Sequence, residues 1–264
     1  MMWCFAAFWL GSAQATEPTA PAPARGEVIA AVAGCAACHT AEGGAPYGGG
    51  YAIPTEQGTF YGTNLTPDPT HGLGGWTYGD FERAMRKGKS PQGYAYWPAF
   101  PYTSFTRMSD ADLQDLWAYL GTLKPVPTAP PPHSTRRGRW QLGLWRPFSF
   151  VKRGPDPSAS KGEYWVDAVA HCGECHSPRG KLGRIKHRRA LSGSDAQPEP
   201  APGITPGDLP DWTVADWTTF LELGMMPNGD FVGGEMARVV QEGTARLPSA
   251  DRAAMAEFLR SGPR

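Results

Sequence analysis

Apolar residues recur along this chain at helical spacing. Leu113, Leu116, Trp117 and Leu120 stand at i, i+3, i+4 and i+7, which predicts an amphipathic helix; Met255, Phe258 and Leu259 repeat the pattern more briefly near the C-terminus. Val28, Ile29 and Val32 mark an earlier helix, answered by Tyr164, Trp165, Ala168 and Val169. Thr77 with Asp80, and Thr213 with Asp216, have the spacing of capping pairs that open a middle helix, with Asp standing in for the more usual Glu. The elements therefore come in two sets.

The sets are copies of one unit, with a period of roughly 137 to 139 residues. Gly26-Glu27 is matched by Gly162-Glu163, and Asn64-Leu65-Thr66-Pro67 by Gly203-Ile204-Thr205-Pro206. Trp76-Thr77-Tyr78-Gly79-Asp80-Phe81 is matched by Trp212-Thr213-Val214-Ala215-Asp216-Trp217, and twelve residues after each leading Trp comes Gly88 or Gly224. The units are read as 26–124 and 161–262, joined by a linker at 125–160. That linker is Pro-rich over 124–132. Trp140, Trp145, Phe148 and Phe150 make it too aromatic for a solvated tether, so it is expected to pack along the units.

Composition adds two constraints. Gly 33 and Pro 27 together exceed a fifth of the 264 residues, so much of the chain must be ordered loop around something other than regular elements. Lys plus Arg equals Asp plus Glu, which gives no case for nucleic acid as a partner. Residues 1–15 read as a signal peptide, with an apolar run from Met1 to Leu10 and a small-x-small site at Ala13-Gln14-Ala15. A positive n-region is missing, and a retained anchor is the alternative. A flexible Pro- and Ala-rich segment, 16–25, follows. Export to the periplasm is expected.

Five cysteines decide the chemistry. Cys4 leaves with the signal peptide; the rest form Cys35-Ala36-Ala37-Cys38-His39 and Cys172-Gly173-Glu174-Cys175-His176. C-x-x-C-H is the attachment signature of c-type haem. Two thiols one helical turn apart can bond the two vinyl groups, and the adjacent His faces the iron as proximal ligand. Disulfide, zinc and dithiol-redox readings all leave two histidines unexplained. The expectation is an all-α fold of two tandem cytochrome c-like haem domains, with two covalent haem c groups held by Cys35, Cys38, Cys172 and Cys175, and with His39 and His176 as axial ligands.

The sixth ligand of a haem that only transfers electrons is commonly Met. The second copy offers Met225, Met226 and Met236. Met236 sits in a Gly-rich loop that could approach a haem face, and Met225 and Met226 end the middle helix.

These motifs, with Pro98-Ala99-Phe100-Pro101-Tyr102 and the run from His171 to Arg179, resemble the cytochrome c subunits of membrane-associated bacterial dehydrogenases of the quinoprotein alcohol dehydrogenase and molybdenum-hydroxylase types. The resemblance covers nearly all of the mature chain, although those subunits often carry three haems. It implies that Met236, in Gly234-Glu235-Met236-Ala237-Arg238-Val239-Val240, is the axial Met of the second unit. In the first unit the family's P-A-M-P-Y reads with Phe100 in place of Met. Phe cannot ligate iron. Met108 is the nearest replacement, with an open or water-bound iron, or another ligand, as the alternatives; Met85 is assigned to the core.

The basic run Arg179, Lys181, Arg184, Lys186, Arg188 and Arg189 could dock an acidic partner, pair haem propionates or be a solvated loop. The stretch 192–211 reads as an insertion loop. The function expected is electron carriage from a donor dehydrogenase to a downstream cytochrome or oxidase, with possible peripheral membrane association. The rival is a dihaem enzyme of peroxidase or thiosulfate-oxidising type, with substrate at an open first haem.

Overall fold

Two glycines set the architecture. A Cβ at Gly26 would lie 2.0 Å from the Asp115 carbonyl oxygen, and one at Gly162 would lie 2.0 Å from that of Ala254. At each place the first helix of a copy crosses its last helix at backbone contact, which only glycine permits. The Gly-Glu pairs of the sequence repeat are these two crossings.

In the computed structural model, which describes residues 20–55, 57–136, 138–180, 183–196 and 200–263, the first copy runs α1 (Pro23–Val32), α2 (Cys35–His39), β1 (Ala52–Thr55), β2 (Gly58–Tyr61), α3 (Tyr78–Lys87), α4 (Tyr102–Phe105) and α5 (Asp110–Gly121). The linker contributes β3 (Ser134–Thr135) and α6 (Trp140–Ser149). The second copy begins with α7 (Lys161–Glu163), which widens into a π-helical turn, Tyr164–Val169, and continues with α8 (Gly173–His176), β4 (Ser192–Ser194) and β5 (Ala201–Gly203). It ends with α9 (Val214–Leu223), α10 (Gly234–Arg238) with a second π-helical turn, Val239–Gly243, and α11 (Ser249–Ser261). The leader read over 1–15, with Cys4, lies outside the described residues.

The middle helices start as the sequence predicts. Thr77 accepts from the Asp80 amide at 3.2 Å while Asp80 accepts from the Thr77 amide at 3.1 Å, and Thr213 with Asp216 repeats the box at 3.2 and 2.9 Å. Ile29, Leu113, Leu116 and Leu120 of the first copy and Trp165, Val169, Met255 and Leu259 of the second are buried in one continuous core.

The all-α expectation is corrected. Strands β1 and β2 form an antiparallel hairpin, to which the linker adds β3, and β4 pairs with β5. The protein is a mixed helix-and-strand fold. The strands are two to four residues long, and β1 carries Pro54, so no stretch shows the sustained alternation that identifies a strand. The stretch 192–211, read as an insertion loop, contains the β4–β5 pair.

The copies pack reciprocally. Helix α1 touches the turns after α10, and the π-helical turn after α7 touches α4. Polar contacts fix this docking: the Tyr164 hydroxyl donates to Asp112 at 2.5 Å and accepts from the Ser109 amide at 3.1 Å, and Arg107 pairs with Asp167 at 2.8 Å. Helix α6 packs less completely than its aromatic content suggests. Leu142 is buried and Arg146 donates to the Lys87 carbonyl at 2.6 Å, but Trp140, Leu144 and Phe148 point outward.

Candidate haem-attachment centres

Each C-x-x-C-H motif forms a short helical turn directly after the first helix of its copy, and the chain needs a sharp reversal to enter it. In the first copy Gly34 supplies this at φ 64°; in the second His171 does so at φ 43°. A side chain in the left-handed region costs roughly 1 kcal/mol or more. Contacts hold His171 there: its Nε2 lies 3.3 Å from the Ala33 carbonyl oxygen of the first copy, and its ring sits edge-on to Phe105 with centroids 5.4 Å apart.

All four motif cysteines are free thiols. Cys35 and Cys172 are half-buried, and Cys38 and Cys175 are exposed. Burial pushes the Cys35 and Cys172 thiols up to about 12 and raises Cys38 and Cys175 as well. A dithiol redox centre requires the opposite, a thiol acidified by its surroundings. The paired, unbridged, weakly acidic thiols fit attachment to a prosthetic group.

The histidines fit a haem equally. His39 Nδ1 lies 2.6 Å from the Thr63 carbonyl oxygen and His176 Nδ1 lies 2.8 Å from that of Pro202. A carbonyl only accepts, so Nδ1 carries the proton and Nε2 keeps its lone pair. Burial lowers both pKa values, more than the carbonyl bonds raise them, which keeps the imidazoles neutral as an iron ligand must be. Sequence reasoning missed these carbonyls because every residue has one. The signal was the N-x-T-P motif beside Thr63. Asn64 Oδ1 accepts from the Thr66 amide at 2.9 Å and its Nδ2 donates to the Val126 carbonyl at 2.7 Å, which pins the loop carrying Thr63 to the Pro-rich linker.

The methionines fall into distinct environments. Met236 is half-buried in α10, twelve residues beyond Gly224, as Phe100 is twelve beyond Gly88; the two are positional counterparts. Met225 and Met226 lie in the tight turn after α9, where Met225 bridges to Phe231 and the Met226 amide donates to Asp230 at 2.8 Å. Met85 is in the core. Met108 is fully buried just before α5, and its carbonyl accepts from Arg86 Nη1 at 2.9 Å. Its counterpart before α11 is Leu247, also buried, whose carbonyl accepts from Arg252 Nη1 at 2.9 Å.

The second motif is built into the boundary between copies. Glu174, inside Cys172–His176, is buried; it accepts from Thr103 at 2.6 Å and Ser104 at 3.0 Å of the first copy, and from Arg179 at 2.7 Å. Burial disfavours its charge, but Arg179 and the hydroxyl groups outweigh this and hold the carboxyl below the usual range. Arg179, the head of the basic run, is thus committed to Glu174, while Arg184, Lys186, Arg188 and Arg189 are exposed and Lys181 lies outside the described residues. Cys38 is within electrostatic reach of Cys175, Glu235 and Arg238, and Cys175 is within reach of Glu235, so the two motifs and α10, which carries Met236, lie near one another.

Comparison with known proteins agrees with this chemistry. The cytochrome c family pattern matches residues 23–124. A dihaem c-type cytochrome of Cereibacter sphaeroides is 40% identical over 257 residues, covering 90% of this chain and 85% of that protein. The cytochrome c subunit of a quinone alcohol dehydrogenase of Gluconobacter oxydans is 37% identical over 274 residues, 96% of this chain and 57% of its own length. The cytochrome subunit of fructose dehydrogenase of Gluconobacter japonicus is 36% identical, across 95% of this chain and 56% of that subunit. The chain thus spans little more than half of those two dehydrogenase subunits.

Proposed function

The chain belongs to the cytochrome c family, and on that premise we propose that it is the dihaem carrier between a membrane-associated dehydrogenase and a downstream cytochrome or oxidase, working in the periplasm. Cys35 and Cys38 would hold one haem c by thioether bonds and Cys172 and Cys175 the other. His39 and His176 would ligate the irons through Nε2. When bound, the irons supply one-electron redox chemistry. The chain's own residues do the rest: the Thr63 and Pro202 carbonyls fix each imidazole's tautomer and direction.

The observation that carries this reading is the convergence of the motifs. Cys38 lies within electrostatic reach of Cys175, and Glu174 of the second motif is held by Thr103 and Ser104 of the first copy, so the two groups would sit near one another and an electron need not leave the protein between them. A pyridine haemochrome assay with intact mass tests it. Two haem additions are expected; none or one refutes the dihaem reading.

Met236 is the proposed sixth ligand of the second haem, supported by its half-buried place in α10, near both motifs. Met108 is the proposed ligand of the first, because Phe100 occupies the place of Met236 and cannot serve. Met108 would serve from a fully buried position whose counterpart, Leu247, is apolar. Low-temperature electron paramagnetic resonance decides it. Two low-spin signals, one lost in Met108→Leu, support the assignment; a high-spin signal unchanged by that substitution removes it. The dihaem-enzyme alternative rests on Phe100 alone, and the relatives described above are a dihaem cytochrome and cytochrome subunits of dehydrogenases.

A further inference from the structure

Helix α6 turns an unusual face outward. Trp140, Leu144 and Phe148 are 67, 64 and 70% exposed, and their spacing of four puts them on one stripe. Gly143 and Pro147 lie between them, also exposed, and Val151 extends the row at 52%. The outward face of a solvated helix is normally polar. Here the helix spends its cation on the inward side: Arg146 donates to the Lys87 carbonyl and lies over the rings of Tyr102 and Phe150, 5.3 and 4.8 Å from their centroids.

The segment of chain that bears the stripe carries one sign of charge. The chain has 25 acidic and 25 basic residues, yet between Asp115 and Asp156 there is no Asp or Glu at all. That interval contains Lys124, Arg136, Arg137, Arg139, Lys152 and Arg153 besides Arg146. Arg139 lies over the exposed ring of Tyr94, beside the start of the stripe. Beyond its other end, Arg153 sits within electrostatic reach of Arg107 and Arg184, and burial together with those two cations lowers its pKa more than nearby Asp167 raises it. Such crowding of like charge opposes the isolated fold, and an anionic surface would relieve it.

We propose that the α6 stripe and its basic border dock this protein onto an anionic lipid bilayer, with Trp140, Leu144 and Phe148 at the boundary between headgroups and acyl chains. Apart from the Trp140 indole N–H, the stripe offers no side-chain hydrogen-bonding group with which to read a protein partner's register. A bilayer requires none, and Trp favours the headgroup level. The inference rests on the reading of the chain as a carrier beside a membrane-associated dehydrogenase, and gives that reading a surface and a lipid chemistry.

The test uses the holoprotein and vesicle flotation, followed by haem absorbance, with phosphatidylglycerol–phosphatidylcholine vesicles against phosphatidylcholine alone. Binding to the anionic vesicles should be stronger by about tenfold or more and should weaken as salt rises. Trp140→Ser with Leu144→Ser and Phe148→Ser should lower it by about tenfold while the haem bands stay unchanged, since all three side chains point away from the core. Lys152→Glu with Arg153→Glu should weaken it independently. No binding of the wild type to anionic vesicles overturns the proposal. So does binding that the triple variant retains, or a wild type that ignores vesicles but holds an acidic protein through the stripe. Haem content measured on the same samples reports on the carrier reading separately, so the two can fail independently.

Discussion

The two copies reach their haem motifs by different means. The first uses the permissive route: Gly34 makes the reversal, and Ala36 and Ala37 fill the motif with methyl groups. The second puts His171 into the same left-handed conformation and Glu174 into the motif, then secures both with groups from the first copy. The counterpart of Tyr164, whose hydroxyl reaches Asp112, is Val28. The comparison teaches that the repeat conserves what holds a haem and varies what holds the copies together. The histidine clamps, the capping boxes and the glycine crossings occur twice; the hydrogen-bonded docking groups Tyr164, Asp167 and Glu174 have Val28, Ala31 and Ala37 as counterparts in the first copy.

Substitutions can break this comparison at its strongest point first. Cys35→Ala with Cys38→Ala should remove one haem, and Cys172→Ala with Cys175→Ala the other, each halving the haemochrome absorbance per chain. Loss of both haems from either variant would show that the copies do not hold them independently. Next comes the axial ligand. Met236→Leu should abolish the thioether-to-ferric charge-transfer band of the second haem in the near infrared and lower its potential in a redox titration. Met225→Leu and Met226→Leu should leave both intact.

A smaller effect separates the motifs energetically. Glu174→Ala strands Arg179, Thr103 and Ser104 and should destabilise the holoprotein by about 3 kcal/mol in denaturant unfolding. Ala37→Gly, at the matching position of the first motif, should cost about 1 kcal/mol or less. Tyr164→Phe removes one hydroxyl and should cost about 1 kcal/mol by the same measurement. The smallest effect should be equal in both copies. Asp80 and Asp216 have pKa values lowered by hydrogen bonds from Thr77 and Thr213. A depressed carboxylate stabilises above its unfolded pKa and loses that contribution as pH falls through the folded value. Amide protection factors, exchange rates corrected for the intrinsic pH dependence, should therefore fall in parallel in the first turns of α3 and α9 on acidification below the ordinary Asp range.

How much was legible in the sequence follows from what each feature is made of. Attachment needs particular side chains, Cys and His, so the motifs announce themselves. The capping boxes and the Leu113–Leu120 stripe are also written in side chains at fixed spacing. The strands were hidden because they are short, and β3 is a two-residue addition from a linker whose composition reads only as Pro-rich. The histidine clamps were hidden because backbone carbonyls carry no sequence identity. The outward turn of Trp140, Leu144 and Phe148 was hidden because periodicity defines a face without saying whether it looks in or out. The repeat pairs Met108 with Leu247, but the arginine that each carbonyl accepts from comes from a different element in each copy, and no shared spacing announces it.

The reciprocal packing of the copies has a consequence for growth. Each copy offers its first helix to the other's post-α3 or post-α9 segment, and each receives the same in return. This is the logic of an isologous dimer carried out within one polypeptide: both faces are used, and the pair closes on itself. A head-to-tail contact could have added units indefinitely; this one stops at two. The tether at 125–160 makes that pairing intramolecular, so it does not depend on protein concentration. Any third unit, in this protein or in a longer relative built on it, must attach through another surface.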